Sequence, residues 1–253
     1  MRYTDLVFDL YGTLVDIHTE ENDLAWEKTA LYFGYYGARY SAEELKTDYE
    51  SAMAARESEA GQSYEMYPDI PFDAVLADLF RAKGVTENAD ALGLNAAQVF
   101  RVTATEYIRL YDGVPEALAA LKSQGFRLWL LSNAQRAFTA YELQHLALGS
   151  QFDGIYLSSD YQCRKPDVRF YRALLEDHTL DPARCLMIGN DRETDIAGAK
   201  ACGMSTLYIH TNLTPAHQAV ARRSMLPGSA AHNDHFEFEG ADWAALTRLI
   251  CSL

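Results

Sequence analysis

Two periods of apolar spacing run along this chain, and the switch between them marks out its parts. Leu6-Val7-Phe8 is a short apolar run ending on Asp9. It predicts a buried strand over residues 4–9, followed by the tight segment Gly12-Thr13. Helical spacing then takes over. Leu24, Leu31 and Tyr35 set the apolar stripe of a helix over residues 20–36. Ser41 and Glu44 form a capping-box signal for a second helix, which continues through Tyr49 and Met53. A proline-marked loop over residues 67–71 precedes a third helix, which carries Val75, Leu79 and Phe80 and stops at Gly84. A fourth helix is expected over residues 96–110. This block has no strand-like alternation, so residues 17–109 read as a small all-helical insertion.

Beyond residue 111 strands and helices alternate. Pro115 opens a helix with Leu118 and Leu121 inside, and Gly125 closes it. Apolar strands are expected over residues 126–131, 154–157, 185–188 and 206–209, with helices over residues 138–146, 168–177 and 194–201 between them. A weaker strand at 235–238 and a helix at 243–249 come last, and residues 217–233 read as irregular. This order predicts an α/β fold, with a parallel sheet covered by helices on both faces.

Composition narrows the function. A chain of 253 residues can hold one large domain or two unequal ones. Its formal charge of -14 argues against nucleic acid and anionic membranes as partners, because no basic stripe exists to displace phosphate counterions. Cys163, Cys185, Cys202 and Cys251 show no Cys-x-x-Cys pairing and read as reduced thiols. The opening MRYTDLVFDL has no long apolar run, so no signal peptide or membrane span is expected and the cytoplasm is the expected compartment. Oligomeric state is left open.

The candidate chemistry sits at strand ends. Asp9, Ser132-Asn133 and Asn190-Asp191 each follow the last apolar residues of an expected strand. In a parallel sheet those ends share one edge, where ligands bind in open α/β folds. Lys165, in the loop after the strand at 154–157, reaches the same edge. Each residue also has a plainer reading. An Asp or Ser at such a place caps a turn or a helix, and Asp191 and Glu193 suit a first helical turn. The repetition at successive strand ends is what points to a shared site.

The motifs FDLYGTL, LLSNA, RKPD and IGNDRETDIAGAKACGM follow one another in that order. On them the chain resembles the haloacid dehalogenase (HAD) superfamily of hydrolases over nearly its whole length. The resemblance implies a Rossmann-like three-layer core from residues 1–16 and 110–253, with a C1-type helical cap over residues 17–109. It implies Asp9 as a nucleophile that forms a covalent aspartyl intermediate. Ser132 would bond the transferring group, and Lys165 would offset charge repulsion between anions. Asp191 and Asp195 would complete a Mg²⁺ site with Asp9 and the backbone carbonyl of Tyr11. Asn133 and Tyr11 would face the substrate, and Arg39 is the nearest candidate for the cap arginine of the dehalogenase branch. Asn190 stands where many members have Asp. Either Asn190 or Asp191 could be the inner ligand, and its carboxylate favours Asp191.

Tyr11 divides the functional readings. Phosphatases of the superfamily carry a second Asp at that position to protonate the leaving group. A tyrosine, with an ordinary pKa of about 10, is a poor acid near neutrality. The DxYGT form resembles metal-independent 2-haloacid dehalogenases, whose halide leaves unprotonated. The fourth motif opposes this, since Asp191, Glu193 and Asp195 repel one another and any anion without a cation. The expected function is a Mg²⁺-dependent phosphatase acting on a small phosphorylated metabolite. A dehalogenase and a phosphometabolite-binding protein with little turnover are the alternatives.

Overall fold

The computed structural model describes residues 2–59, 67–219 and 235–253. In chain order its first half contains β1 (Asp5–Phe8), β2 (Val15–Thr19), α1 (Asp23–Tyr35), α2 (Ala42–Glu59), α3 (Phe72–Ala82), α4 (Ala89–Ala104) and β3 (Thr105–Leu110). There follow α5 (Val114–Ser123), β4 (Arg127–Ser132), α6 (Arg136–His145), β5 (Gly154–Leu157), α7 (Ser158–Tyr161), α8 (Val168–Asp177) and β6 (Cys185–Gly189). A π-helical turn, Arg192–Ala197, runs into α9 (Gly198–Ala201), and β7 (Ser205–His210), α10 (Ala216–Ala219), β8 (His235–Glu239) and α11 (Trp243–Ser252) complete the order.

Six strands form one sheet in the order β5-β4-β1-β6-β7-β8, and every pairing is parallel. The fold is the expected α/β, Rossmann-like one. β1 is central because both its faces are apolar. Leu6 and Phe8 join a cluster with Leu118 of α5, Leu143 of α6 and Trp243 of α11, while Val7 joins another with Phe170, Tyr171 and Leu174 of α8. The two-residue strand period thus supplies both helical layers. The chain leaves β1 for β4 and β5 on one side and returns to β6 on the other. The crevice at the carboxyl ends of β1, β4 and β6 therefore lies where the strand order reverses.

Helices α1–α4 build a separate apolar cluster around Trp26, Phe33, Phe72, Phe80 and Phe100, and Ala137 of α6 joins it. Three details differ from the sequence reading. First, this block is not free of strands at its ends: β2 and β3 pair antiparallel, with Asp16 opposite Arg109. Residues 105–110 are therefore strand, where a continuing helix was expected, because Thr105, Tyr107 and Ile108 suit a pleated ribbon. Second, α1 buries Ala25, Trp26, Thr29, Ala30 and Phe33 and leaves Leu24, Leu31 and Tyr35 exposed. Trp26 and Phe33 set the inward face, packing on Phe100 and Phe80 at 4.8 and 3.8 Å between ring centroids, and this aromatic contact overrides the leucine stripe. Third, α10 occupies part of the stretch expected to be irregular, and the rest of that stretch lies outside the described residues. The four cysteines are unpaired, and no described helix is long and apolar enough to cross a membrane.

Candidate active site

The turn after β1 is wound around a single acceptor. The amides of Thr13, Leu14 and Val15 all donate to the Leu10 carbonyl, and Asp9 N–H donates to Ile188 O of β6 at 3.0 Å. Gly12 permits this turn by adopting a φ of 83°. It also admits the Asn190 side chain, which a Cβ at position 12 would strike. Asp9 is thereby fixed at the strand end, with 7% of its surface exposed.

Three groups reach the Asp9 carboxylate. Lys165 Nζ lies 2.7 Å from Oδ1, Ser132 Oγ lies 3.4 Å from the same oxygen, and Thr13 Oγ1 lies 3.1 Å from Oδ2. Lys165 also donates to Asp195 Oδ1 at 2.6 Å. The sequence-selected Asp9, Ser132, Lys165 and Asp195 are thus one contact cluster. Burial alone would pull the Lys165 ammonium down, but Asp195 and Asp9 outweigh it and hold the lysine above its ordinary value. Burial raises Asp195 above the ordinary carboxylate range even against the lysine.

Asn133 holds Lys165 in place through the backbone. Its Oδ1 accepts from Lys165 N–H at 2.7 Å and its Nδ2 donates to Lys165 O at 3.0 Å. Asp195 is brought inward by the π-helical turn, in which Ile196 N–H reaches back five residues to Asp191 O. Both Asp195 oxygens are engaged, Oδ1 by Lys165 and Oδ2 by Asp191 N–H at 3.0 Å. It stands directly beside the lysine. Gly189 makes room for it, since a side chain there would collide with that carboxylate.

Asp191 caps the same turn. Its Oδ1 accepts from Glu193 N–H, Thr194 N–H and Gln218 Nε2, at 2.8, 3.0 and 3.1 Å. The capping role and a ligand role are compatible, because among the described residues no donor reaches its other oxygen. Asn190 is buried beside Thr13, whose hydroxyl lies 3.3 Å from its Oδ1. Among the described residues no three His, Cys, Asp or Glu side chains gather closely enough to make a metal centre alone. The available oxygens are Asp9 Oδ2, with only the Thr13 hydroxyl on it, the second Asp191 oxygen, and the Tyr11 carbonyl, which accepts no bond from the described residues. One or two carboxylates, a carbonyl and water are the hard donors that suit Mg²⁺.

The Tyr11 side chain is turned toward α6. Its hydroxyl donates to Glu142 Oε2 and lies 2.9 Å from Thr139 Oγ1. Burial, then the Glu142 carboxylate, raises its pKa well above the ordinary tyrosine value. Arg39 is exposed in the turn after α1 and takes no part in the cluster. The arginine that meets Tyr11 is Arg101 of α4, with its guanidinium 5.3 Å from the ring centroid and its Nε 2.6 Å from Glu142 Oε1. Sequence reasoning missed Arg101, Glu142, Thr139 and Gln218. None belongs to a motif, and each partner lies far away in the chain.

Comparisons with known proteins bear on the family and the fold. A family model for haloacid dehalogenase-like hydrolases matches residues 6–203. A glyceraldehyde 3-phosphate phosphatase of Methanothermobacter thermautotrophicus is 31% identical over 111 residues, covering 44% of this chain and 49% of that relative. The aligned stretch thus spans about half the length of that curated relative. A phosphoglycolate phosphatase of Aquifex aeolicus is 29% identical over 79% of this chain and 82% of its own. The crystal structure of a HAD phosphatase from Thermococcus onnurineus superposes with a TM-score of 0.54 at 17% identity, covering 98% of this chain and 97% of that one, and shares the fold. Because the family match runs from β1 through the turn that carries Asp195, it takes in every contact around Asp9, and the chain belongs to the haloacid dehalogenase-like hydrolase family.

Proposed function

We propose that this chain is a Mg²⁺-dependent phosphoric monoester hydrolase acting on a small phosphorylated metabolite. The observation that carries the reading is charge imbalance. One ammonium, Lys165, serves both Asp9 and Asp195, and Asp191 adds a third carboxylate at the same sheet edge. A phosphate ester brings more negative charge to that place. Asp9, the Tyr11 carbonyl and Asp191 would hold Mg²⁺, which supplies Lewis-acid charge compensation when bound. Asp9 attacks phosphorus, and water releases the phosphate from the aspartyl intermediate. Ser132 and Lys165 hold the phosphoryl oxygens, while Asn133 and Asp195 hold the lysine. Residues 17–109 act as the cap over the crevice and select the substrate. The phosphatase names of the relatives support this reading.

Tyr11 favours a second reading, the metal-independent 2-haloacid dehalogenase, because no free acid is needed when halide leaves. A screen of small phosphate esters separates the two. Turnover should vanish with EDTA, return with Mg²⁺, and be lost in Asp9→Asn. Halide release from 2-chloropropionate that ignores EDTA would overturn the phosphatase. Tight ester binding with no product over hours would leave a binding protein instead.

A further inference from the structure

We propose that Asp69 and Gln135 are positioning residues for Lys165. They fasten the helical unit to the two loops that deliver Ser132 and Lys165, so that the lysine stands against Asp9 only while that unit is docked. The inference rests on the phosphatase reading for what Lys165 does, and on geometry for how it is held.

The residues before α3 form a short ribbon with the loop that carries Lys165. Pro68 bridges antiparallel to Cys163. Asp69 N–H donates to Gln162 O at 3.2 Å, and Arg164 N–H donates to Tyr67 O at 2.9 Å. Past Lys165 in the chain, Asp167 Oδ2 accepts from Tyr67 N–H at 3.3 Å. Asn133 takes the N–H and the carbonyl of Lys165 itself. Among the described residues, the backbone of residues 162–165 thus finds its partners beyond its own loop in Tyr67, Asp69 and Asn133. The first two belong to the helical unit.

Two polar side chains lock this ribbon. Gln135 Oε1 accepts from Phe72 N–H at 2.8 Å, at the start of α3, and Gln135 Nε2 donates to Asp69 Oδ1 at 2.8 Å and to Ile70 O at 3.2 Å. The other Asp69 oxygen accepts from Ser158 Oγ, which itself accepts from Ala134 N–H at 2.8 Å. Asp69 is buried, so an unmatched carboxylate there would be costly. Matched on both oxygens, it specifies one arrangement of three chain segments, where an apolar contact would tolerate slippage. Gln135 lies in the same loop as Ser132 and Asn133, so the lock and the reactive groups share one short piece of backbone. If the helical unit moves away, the Lys165 loop keeps only Asn133. A misplacement of about 1 Å in a catalytic group costs on the order of 100-fold in rate.

The test is a double-mutant cycle on kcat, with 4-nitrophenyl phosphate and Mg²⁺. Gln135→Ala and Asp69→Ala should each lower kcat on the order of 10- to 100-fold and weaken inhibition by inorganic phosphate, while urea melts show a folded chain. In a Lys165→Met background the same changes should cost almost nothing more, because they act through the lysine. Equal losses in both backgrounds overturn the inference and leave the phosphatase standing, as does near-normal kcat in both single variants. A cross-link gives a rescue. Pro68 and Cys163 are a non-hydrogen-bonded antiparallel pair, whose Cα atoms lie about 4.5 Å apart, within disulfide range. In Pro68→Cys/Gln135→Ala, oxidation should restore kcat and dithiothreitol should remove it again; no recovery in the cross-linked protein overturns the inference. Hydrogen exchange needs no substrate: the amides of Arg164 and Lys165 should lose protection in Gln135→Ala, and unchanged protection overturns the inference. Halide release from 2-chloropropionate with no ester turnover overturns the phosphatase reading instead, and the same cycle read on halide then decides the positioning.

Discussion

Two buried charge clusters share the turn after β1, and they are built to opposite rules. Around Asp9, one lysine bridges two carboxylates and a third acid stands nearby, with oxygen lone pairs still open. Around Tyr11, Arg101 faces Glu142 through two contacts, 2.6 and 3.2 Å, and packs over the rings of Tyr11 and Phe138. Tyr11 fills the remaining place on Glu142. The second cluster cancels its charge and matches its donors, so it fastens α4 to α6. The first leaves surplus negative charge at a crevice, so it has work for a cation and a ligand. Imbalance, not burial or the mere presence of ion pairs, separates the site from the fastener.

The sharpest way to break this contrast is Lys165→Met. It leaves two buried acids without their cation, and turnover should fall about 10³-fold or more. Stability should fall by about 3 kcal/mol, read by urea melts. Near-normal turnover would remove the lysine from the machinery. Glu142→Gln comes next. Arg101 then loses its acid in a site only partly open to water, so about 2 kcal/mol of stability should go. Turnover should stay within a few fold, and calorimetry beside steady-state rates checks this. A rate loss far beyond the stability loss would make the fastener part of the site.

The smallest effect concerns a third cluster of the balanced kind, at the base of the β2–β3 ribbon. Asp16 accepts from Arg109 Nη2 at 2.7 Å and from Asn212 Nδ2 at 3.0 Å. Burial pushes its carboxyl up, but Asn212 and Arg109 outweigh this and hold it below the usual range. A depressed carboxylate stabilises the fold above its unfolded pKa of about 3.9, and that contribution is lost as pH falls through the lower folded value. The Tm gap between the native chain and Asp16→Asn, present at neutral pH, should therefore close below about pH 4. A gap that persists in acid would show that shape, not charge, is what Asp16 supplies.

Much of the site was legible in the chain because strand ends are local features. An apolar run followed by a polar residue reads the same alone as in the sheet, so Asp9 and Ser132 were selected together, and Lys165 joined them from the loop motif RKPD. The helical unit was less legible. Leu24 and Leu31 fit the apolar spacing of α1, yet the helix turns Ala25, Trp26, Ala30 and Phe33 inward, because the two aromatic rings find partners in Phe100 and Phe80 of the neighbouring helices. Arg39 and Arg101 show the same limit. Nothing in either local sequence tells which arginine meets Tyr11, since that depends on where α4 crosses α6.

By itself the sequence determined the alternation of strands and helices, the parallel sheet and the acids at its edge, because backbone period and turn chemistry act over a few residues. Tertiary structure decided what those acids do. Asp191 became a cap with one free oxygen, Asp195 a support for Lys165, and Tyr11 a member of the balanced cluster. Charge balance belongs to neighbours in space, and those neighbours are set only when the sheet edge and the helices above it have closed on one another.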